Sequence, residues 1–313
     1  MADMTALRAH RRGGPEVLVV ERAPIPAPGP GEVLIEVHAA AITFDELTWD
    51  ETWVHDGVDR TPTIPSHEVS GVVAATGPDV TGLARGDEVY GLIPFDRDGA
   101  AAEYTTAPAT CLAMRPKTVS HVLSAALPLA GLTAWQALVD HAAVQPGERV
   151  LVHGGAGGVG ALAVQLAEIL GAEVTTTVRS DGNHLVSRLG AHHVIDTRTE
   201  RFDGEDAVFD VVIDTVGGDT LERSFEILRP GGRLVTLSAP PPPGKAEAYE
   251  VDATFFIVVP DHAELTHLAE LVDTSRLRVE LAGTFPLEDG RYAFESGRLP
   301  RRRPGKTVLT IRD

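Results

Sequence analysis

The stretch Arg149-Val150-Leu151-Val152-His153-Gly154-Gly155-Ala156-Gly157-Gly158-Val159-Gly160 runs straight into Ala161-Leu162-Ala163-Val164-Gln165-Leu166-Ala167. An apolar run of strand length, a glycine cluster and a row of helix formers follow one another without a break, which predicts strand, tight turn and helix in that order. Gly155, Gly157 and Gly160 supply the spacing G-x-G-x-x-G at the turn. Glycines there let the backbone bend sharply and approach a pyrophosphate, whose charge meets the free amides and the positive dipole end of the helix. Gly155, Ala156, Gly157, Gly158, Val159 and Gly160 are therefore the expected cradle of a dinucleotide. A glycine-rich turn alone is a common surface feature; the strand before this one, the helix after it and a second strand at Glu173–Thr177 give it meaning.

Outward from the cradle, apolar strands at Val194–Ile195, Val211–Ile213, Arg233–Leu237 and Thr254–Val259 alternate with helical stretches, among them Val122–Leu138 and Leu162–Leu170. That alternation predicts an α/β unit with a doubly wound parallel sheet, a Rossmann domain. Ala239-Pro240-Pro241-Pro242-Pro243-Gly244 continues neither strand nor helix, because proline lacks the amide donor, and reads as a loop beyond a strand end. Before all this, Val17–Val20, Glu32–Val37, Val69–Val73 and Asp87–Leu92 are short runs punctuated by Gly and Pro, the spacing of a mostly β domain. A helix at Ala263–Val272 and a strand at Thr307–Ile311 close the chain. The expected division is 1–120 for the first part of the β domain, 121–260 for the nucleotide-binding domain and 261–313 for a return to the β domain.

The end of the second strand decides which nicotinamide cofactor fits. An Asp or Glu roughly 20 residues beyond the glycines would hold a ribose 2′-hydroxyl. The chain instead reads Thr177-Val178-Arg179-Ser180-Asp181, offering the guanidinium of Arg179 and the hydroxyl of Ser180 to a 2′-phosphate. NADPH is the expected cofactor; the alternative is that Arg179 is an ordinary surface residue and Asp181 takes the ribose.

A net charge of −18 excludes a protein built to bind a nucleic-acid backbone, which needs a basic stripe. The one basic run, Arg301-Arg302-Arg303 with Arg298 and Lys306 beside it, is either a solvated loop or a patch for cofactor phosphates. Cys111 is the single cysteine, so no intramolecular disulfide and no multi-cysteine zinc site can form, as suits a reducing cytoplasm. Met1–His10 lacks the apolar core of a signal peptide, and no stretch approaches the roughly 20 apolar residues of a membrane span. The expectation is a cytoplasmic protein with no membrane partner.

Gly13-Gly14-Pro15-Glu16-Val17-Leu18, Pro28-Gly29-Pro30-Gly31-Glu32-Val33, Gly86-Asp87-Glu88-Val89-Tyr90-Gly91, Ala125-Ala126-Leu127-Pro128-Leu129-Ala130-Gly131-Leu132-Thr133-Ala134-Trp135, Phe209-Asp210-Val211-Val212-Ile213-Asp214-Thr215-Val216-Gly217-Gly218 and Leu228-Arg229-Pro230-Gly231-Gly232-Arg233 extend the pattern over the whole chain. Together these stretches resemble the medium-chain dehydrogenase/reductase superfamily, and specifically its zinc-independent quinone oxidoreductase branch. The resemblance implies a GroES-like β domain interrupted by the cofactor domain, with the active site in the cleft that separates them. It also implies Thr133, Ser238 and Ala239 beside the cofactor, and Thr43 as a polar side chain near the nicotinamide.

Zinc alcohol dehydrogenases of this superfamily hold their metal at positions that look like Thr43, His67 and Leu129 here. Leucine cannot ligate and threonine is a poor donor, so no metal site is expected, although the pair His67-Glu68 keeps a metal reading open. Without a Lewis acid, hydride addition to an already electrophilic carbon of a quinone or enone is the easier reaction. Thr43, Glu46 and His67 are the catalytic candidates, Glu46 as the carboxylate that orients either of the other two. Trp49, Trp53 and Tyr90 either wall an apolar pocket for a small-molecule substrate or belong to the core. The apolar stretch Phe255–Val259 reads as an edge strand that would pair across a twofold axis, making the protein a homodimer. Two other readings stay open, a zinc-dependent alcohol dehydrogenase and a non-enzymatic NADPH-binding protein.

Overall fold

Six short stretches, the two central ones with continuously apolar middles, hydrogen-bond side by side in parallel. They are β1 (Arg149–His153), β2 (Glu173–Val178), β3 (His193–Asp196), β4 (Phe209–Asp214), β5 (Leu228–Thr236) and β6 (Asp252–Phe255), in the order β3-β2-β1-β4-β5-β6. Strands buried on both faces need continuous rather than alternating hydrophobicity, which is how Val150–Val152 and Val211–Ile213 read. The order reverses between β1 and β4, the switch point at which such sheets open a crevice beyond the strand ends. This is a computed structural model, and it describes residues 2–179, 182–204, 208–299 and 303–312. The fold is the expected one: a Rossmann sheet set within a GroES-like, mostly β chain.

The chain divides into two compact units: residues 1–129, 259–275 and 279–313 form one, and 130–258 with 276–278 the other. The first boundary lies beyond the expected residue 120. Ala125 and Ala126, at the end of the helix His121–Ala125, are buried with Ala39, Ala41 and Val308 of the β-rich unit. The helical stretch read as continuous over Val122–Leu138 is broken at Ala126-Leu127, and a new helix starts at Pro128, where the missing amide of proline is harmless in the first turn.

The β-rich unit is organised by a seven-stranded sheet. Its main path runs through Leu281–Pro286, Lys306–Thr310, Glu32–Ile42, Glu68–Thr76, Glu88–Leu92 and Leu112–Met114, with Tyr104–Pro108 also paired to Glu32–Ile42. Lys306–Thr310 and Glu68–Thr76 flank Glu32–Ile42, with Thr307 opposite Ile42 and Glu68 opposite Ala41. The C-terminal segment is thereby fixed beside residues near positions 42 and 68. Tyr90 and Trp53 are core residues: the Tyr90 hydroxyl donates to the Leu265 carbonyl at 2.5 Å and the Trp53 indole to the Leu47 carbonyl at 3.0 Å. Neither is a wall of an open pocket.

The last Rossmann strand is displaced from its expected place at Thr254–Val259. β6 ends at Phe255, and the chain leaves the sheet as an irregular segment over 256–260. Its apolar side chains are not the two faces of one strand, and Ile257 and Val259 are 61% and 60% exposed. Among the described residues no helix is long and apolar enough to cross a membrane.

Candidate functional site

The turn that leaves β1 is held from both sides before any ligand is considered. His153, the last residue of β1, is buried with one ring nitrogen 3.1 Å from Thr177 Oγ1 and the other 3.1 Å from Ser224 Oγ. Burial pushes its pKa down to about 4, opposed by the charge of Asp214, so the imidazole is neutral and pins β1 to its neighbours. The Gly154 amide donates to Thr177 Oγ1 at 3.1 Å, the Gly155 amide to the Thr177 carbonyl at 3.0 Å, and the Gly157 amide to the Gly154 carbonyl at 2.9 Å. The amides of Gly155 and Gly157 are thus spent on the turn itself.

Donors for an anion come one step later. The helix Gly158–Ile169 is capped by Gly157, and its first backbone bond runs from the Ala161 amide to the Gly157 carbonyl at 3.0 Å. Gly158, Val159 and Gly160 therefore present the amides that a helix start leaves without intrahelical acceptors. The glycines are required sterically. A Cβ on Gly160 would run into the Gly154 carbonyl oxygen, and one on Gly155 into the Thr176 side chain. These residues fit the pyrophosphate of a dinucleotide.

Around the cradle, Arg179 follows β2 directly and is exposed. A Cβ on Gly182 would lie 2.6 Å from that of Ala156, so Gly182 stands against the cradle. Ser180, like the alternative Asp181, lies outside the described residues, as do Arg301 and Arg302 of the basic run. Ser238 lies just beyond the end of β5, its hydroxyl 3.3 Å from Asp214 Oδ2 and 3.2 Å from Thr236 Oγ1, and Ala239 follows it into the proline loop. Asp214 itself is fully buried and accepts the amides of Val216 and Gly217, both at 3.0 Å, so it ties the ends of β4 and β5 together. Thr133 is buried in the helix Pro128–Gln136.

The β-rich unit holds the other candidates in one buried polar cluster. Glu46 is 1% exposed; its carboxylate accepts the Ser66 amide at 2.9 Å and, at 3.4 Å, the Thr43 amide. Burial raises its pKa to about 8, opposed by those amides and by the charge of Lys306. Thr43, half-buried, accepts from the Lys306 ammonium at 3.5 Å. Lys306 also donates to the Ile42 carbonyl at 3.2 Å and is ion-paired with Glu68, whose other oxygen accepts the Leu129 amide at 3.0 Å. His67 is buried, with Nδ1 lacking a hydrogen-bond partner among the described residues; burial and the nearby charge of Arg60 push its pKa down to about 4. Its ring meets Phe95 edge to face at 5.2 Å, and Phe95 meets Trp49 in the same way at 5.2 Å. The structure thus brings together Thr43 and Glu46 and adds Glu68 and Lys306, while His67, next in sequence to the Ser66 whose amide Glu46 accepts, packs against Phe95. Only the Lys306-to-Glu32–Ile42 strand register could have found Lys306, and that register is not written in any local pattern.

A catalytic zinc does not fit this donor set. Leu129 has no donor side chain, Thr43 already takes the Lys306 ammonium, and Glu68 is neutralised by the same lysine. Among the described residues no three His, Cys, Asp or Glu side chains gather as metal ligands.

Residues 29–117 match the family described as alcohol dehydrogenase GroES-like domain, and residues 189–309 the family described as zinc-binding dehydrogenase. The chain is 32% identical over 313 residues to a probable zinc-binding oxidoreductase, mitochondrial, of Arthroderma benhamiae, covering 94% of this chain and 93% of that protein. It is 38% identical over 253 residues to the 2-methylene-furan-3-one reductase of Solanum lycopersicum, covering 78% of this chain and 64% of that protein. The solved quinone oxidoreductase from Coxiella burnetii is 30% identical, with a TM-score of 0.88 over 99% of this chain and 100% of that one. The chain belongs to the medium-chain dehydrogenase/reductase superfamily, in its quinone oxidoreductase-like part. It is an oxidoreductase that uses a nicotinamide cofactor and acts on a small molecule.

Two substitutions test the site. Gly160→Ala, whose Cβ has backbone and no flexible side chain to displace, should weaken nucleotide binding by at least about tenfold in calorimetry while leaving the circular dichroism unchanged. Glu46 has its folded pKa raised above the unfolded value of 4.5, so the native chain keeps a proton the unfolded chain has lost, and stability falls as pH rises from about 5 to 8. Glu46→Gln should flatten that slope, by up to about 1.4 kcal/mol per pH unit, in denaturant titrations across the window.

Proposed function

We propose that the chain reduces quinones, enones or similarly activated double bonds with NADPH, without catalytic zinc. The observation that carries this reading is the glycine cradle, whose helix start leaves the Gly158, Val159 and Gly160 amides for a diphosphate; the poor zinc donors at Thr43 and Leu129 support its metal-free part. Bound at the cradle, NADPH supplies a hydride to the electrophilic carbon, and the reduced substrate takes one proton from water or a side chain to balance the reaction.

The amides of Gly158, Val159 and Gly160 hold the diphosphate, and Arg179 with Ser180 takes the 2′-phosphate. Thr133, Ser238 and Ala239 line the nicotinamide end. In the β-rich unit the Thr43 hydroxyl donates to the substrate oxygen on which negative charge develops, and Glu46 orients Thr43 through its amide. His67, neutral by burial, offers a polar edge beside the aromatic pair Phe95 and Trp49, which suits a flat unsaturated substrate. The names of the tomato and Coxiella relatives support this substrate class. A buried free thiol at Cys111 supports a reducing, cytoplasmic setting.

Oxidation of NADPH across a panel of quinones, enones and aldehydes, with NADH as control and metal content measured on the same sample, tests the reading. Turnover of quinones or enones at substoichiometric zinc is expected, with an NADPH preference that Arg179→Ala removes. Activity that tracks bound zinc, or an intact cradle with no turnover of any acceptor, would contradict it. We further propose a homodimer formed at the exposed edge of β6. Light scattering should give twice the 33.2 kDa chain mass, and the single-chain mass would sink the idea.

A further inference from the structure

We infer that Lys306 is a positioning residue that aims the Thr43 hydroxyl proton at the substrate's oxygen; this rests on the function proposed above. The strand register places Thr307 opposite Ile42, so Lys306 stands level with Thr43, 263 residues away in sequence. Lys306 is 9% exposed, and its ammonium has three donors with three acceptors: the Ile42 carbonyl at 3.2 Å, the Glu68 carboxylate, and Thr43 Oγ1 at 3.5 Å. It is held from three sides rather than free to swing.

What that fixes is the role of the Thr43 hydroxyl. A hydroxyl has one proton to give and two lone pairs to receive. With the ammonium on one lone pair, the proton is left for another acceptor, and no hydrogen bond among the described residues takes it. A cation on the acceptor side also makes the O–H a stronger donor. The neighbours cannot do this work. Glu46 has both oxygens occupied by the Ser66 and Thr43 amides, and Glu68 has its oxygens on Leu129 and Lys306.

A buried ion pair is a poor stabilising device, since desolvation offsets most of the attraction. The Lys306–Glu68 pair instead places one positive charge a single hydroxyl away from the point where substrate charge would develop. Loss of that charge should act on kcat, because the stabilisation appears only as charge builds in the transition state.

The test is a double-mutant cycle between Lys306→Met and Thr43→Val, read as kcat and KM with NADPH and the best quinone or enone acceptor. Each single variant should lower kcat at least about tenfold with KM for NADPH within about twofold, and the double variant should be no slower than Thr43→Val alone. Thr43→Ser, which keeps the hydroxyl, should keep its dependence on Lys306. If Lys306→Met does not fold because Glu68 is left unpaired, Lys306→Met with Glu68→Gln replaces it in the same cycle. An unchanged kcat in the lysine variant, an equal loss with and without Thr43, or a loss confined to KM for NADPH overturns the inference while leaving the proposed function standing. A wild-type chain that reduces no acceptor overturns the proposed function, and the inference with it.

Discussion

The first turn of the helix Gly158–Ile169 comes so close to the carbonyl of Gly154 that no side-chain carbon fits at position 160, and the rest of the nucleotide-binding unit is arranged around that approach. β1 and β4 set the strand ends side by side, with His153 in register with Asp214. The buried imidazole fixes β1 against Thr177 and Ser224, while the buried carboxylate gathers Val216, Gly217, Thr236 and Ser238. Neither residue needs to touch a ligand to matter. Each satisfies buried polar groups that would otherwise make the strand ends costly to expose or to leave unpaired, and together they leave three helix-start amides aimed at an incoming anion.

The β-rich unit solves a different problem, that of keeping ionisable side chains inside an apolar sheet. One lysine serves Glu68 directly and lowers the cost of Glu46 nearby, and backbone amides take the remaining carboxylate oxygens. His67 escapes the cost by staying neutral. The match to the family described as zinc-binding dehydrogenase covers residues 189–309, and Thr43, His67 and Leu129 all lie outside it.

How much of this the sequence disclosed depends on how local each signal was. The cradle was legible because its glycines, strand and helix are consecutive, so spacing alone carries the meaning. β1, β2, β3 and β4 were legible for the same reason, as compact apolar runs. β6 was misplaced because Phe255–Val259 is uniformly apolar and periodicity cannot say where such a run stops pairing; the chain leaves the sheet after Phe255. Trp53 and Tyr90 could be pocket or core by composition, and only their buried hydrogen bonds decide for core. Lys306 was hidden most completely. Beside Arg301-Arg302-Arg303 it reads as one more solvated cation, whereas its partners Thr43 and Glu68 are supplied by strands from the other end of the chain.

The most direct test of the cradle is a calorimetric titration with 2′-phospho-ADP-ribose, which keeps the diphosphate and 2′-phosphate of NADPH and lacks the nicotinamide. The account predicts saturable one-to-one binding, because the grip is made by backbone amides on the diphosphate and not by the reactive ring. A flat titration, with neither this fragment nor intact NADPH releasing heat, would contradict it.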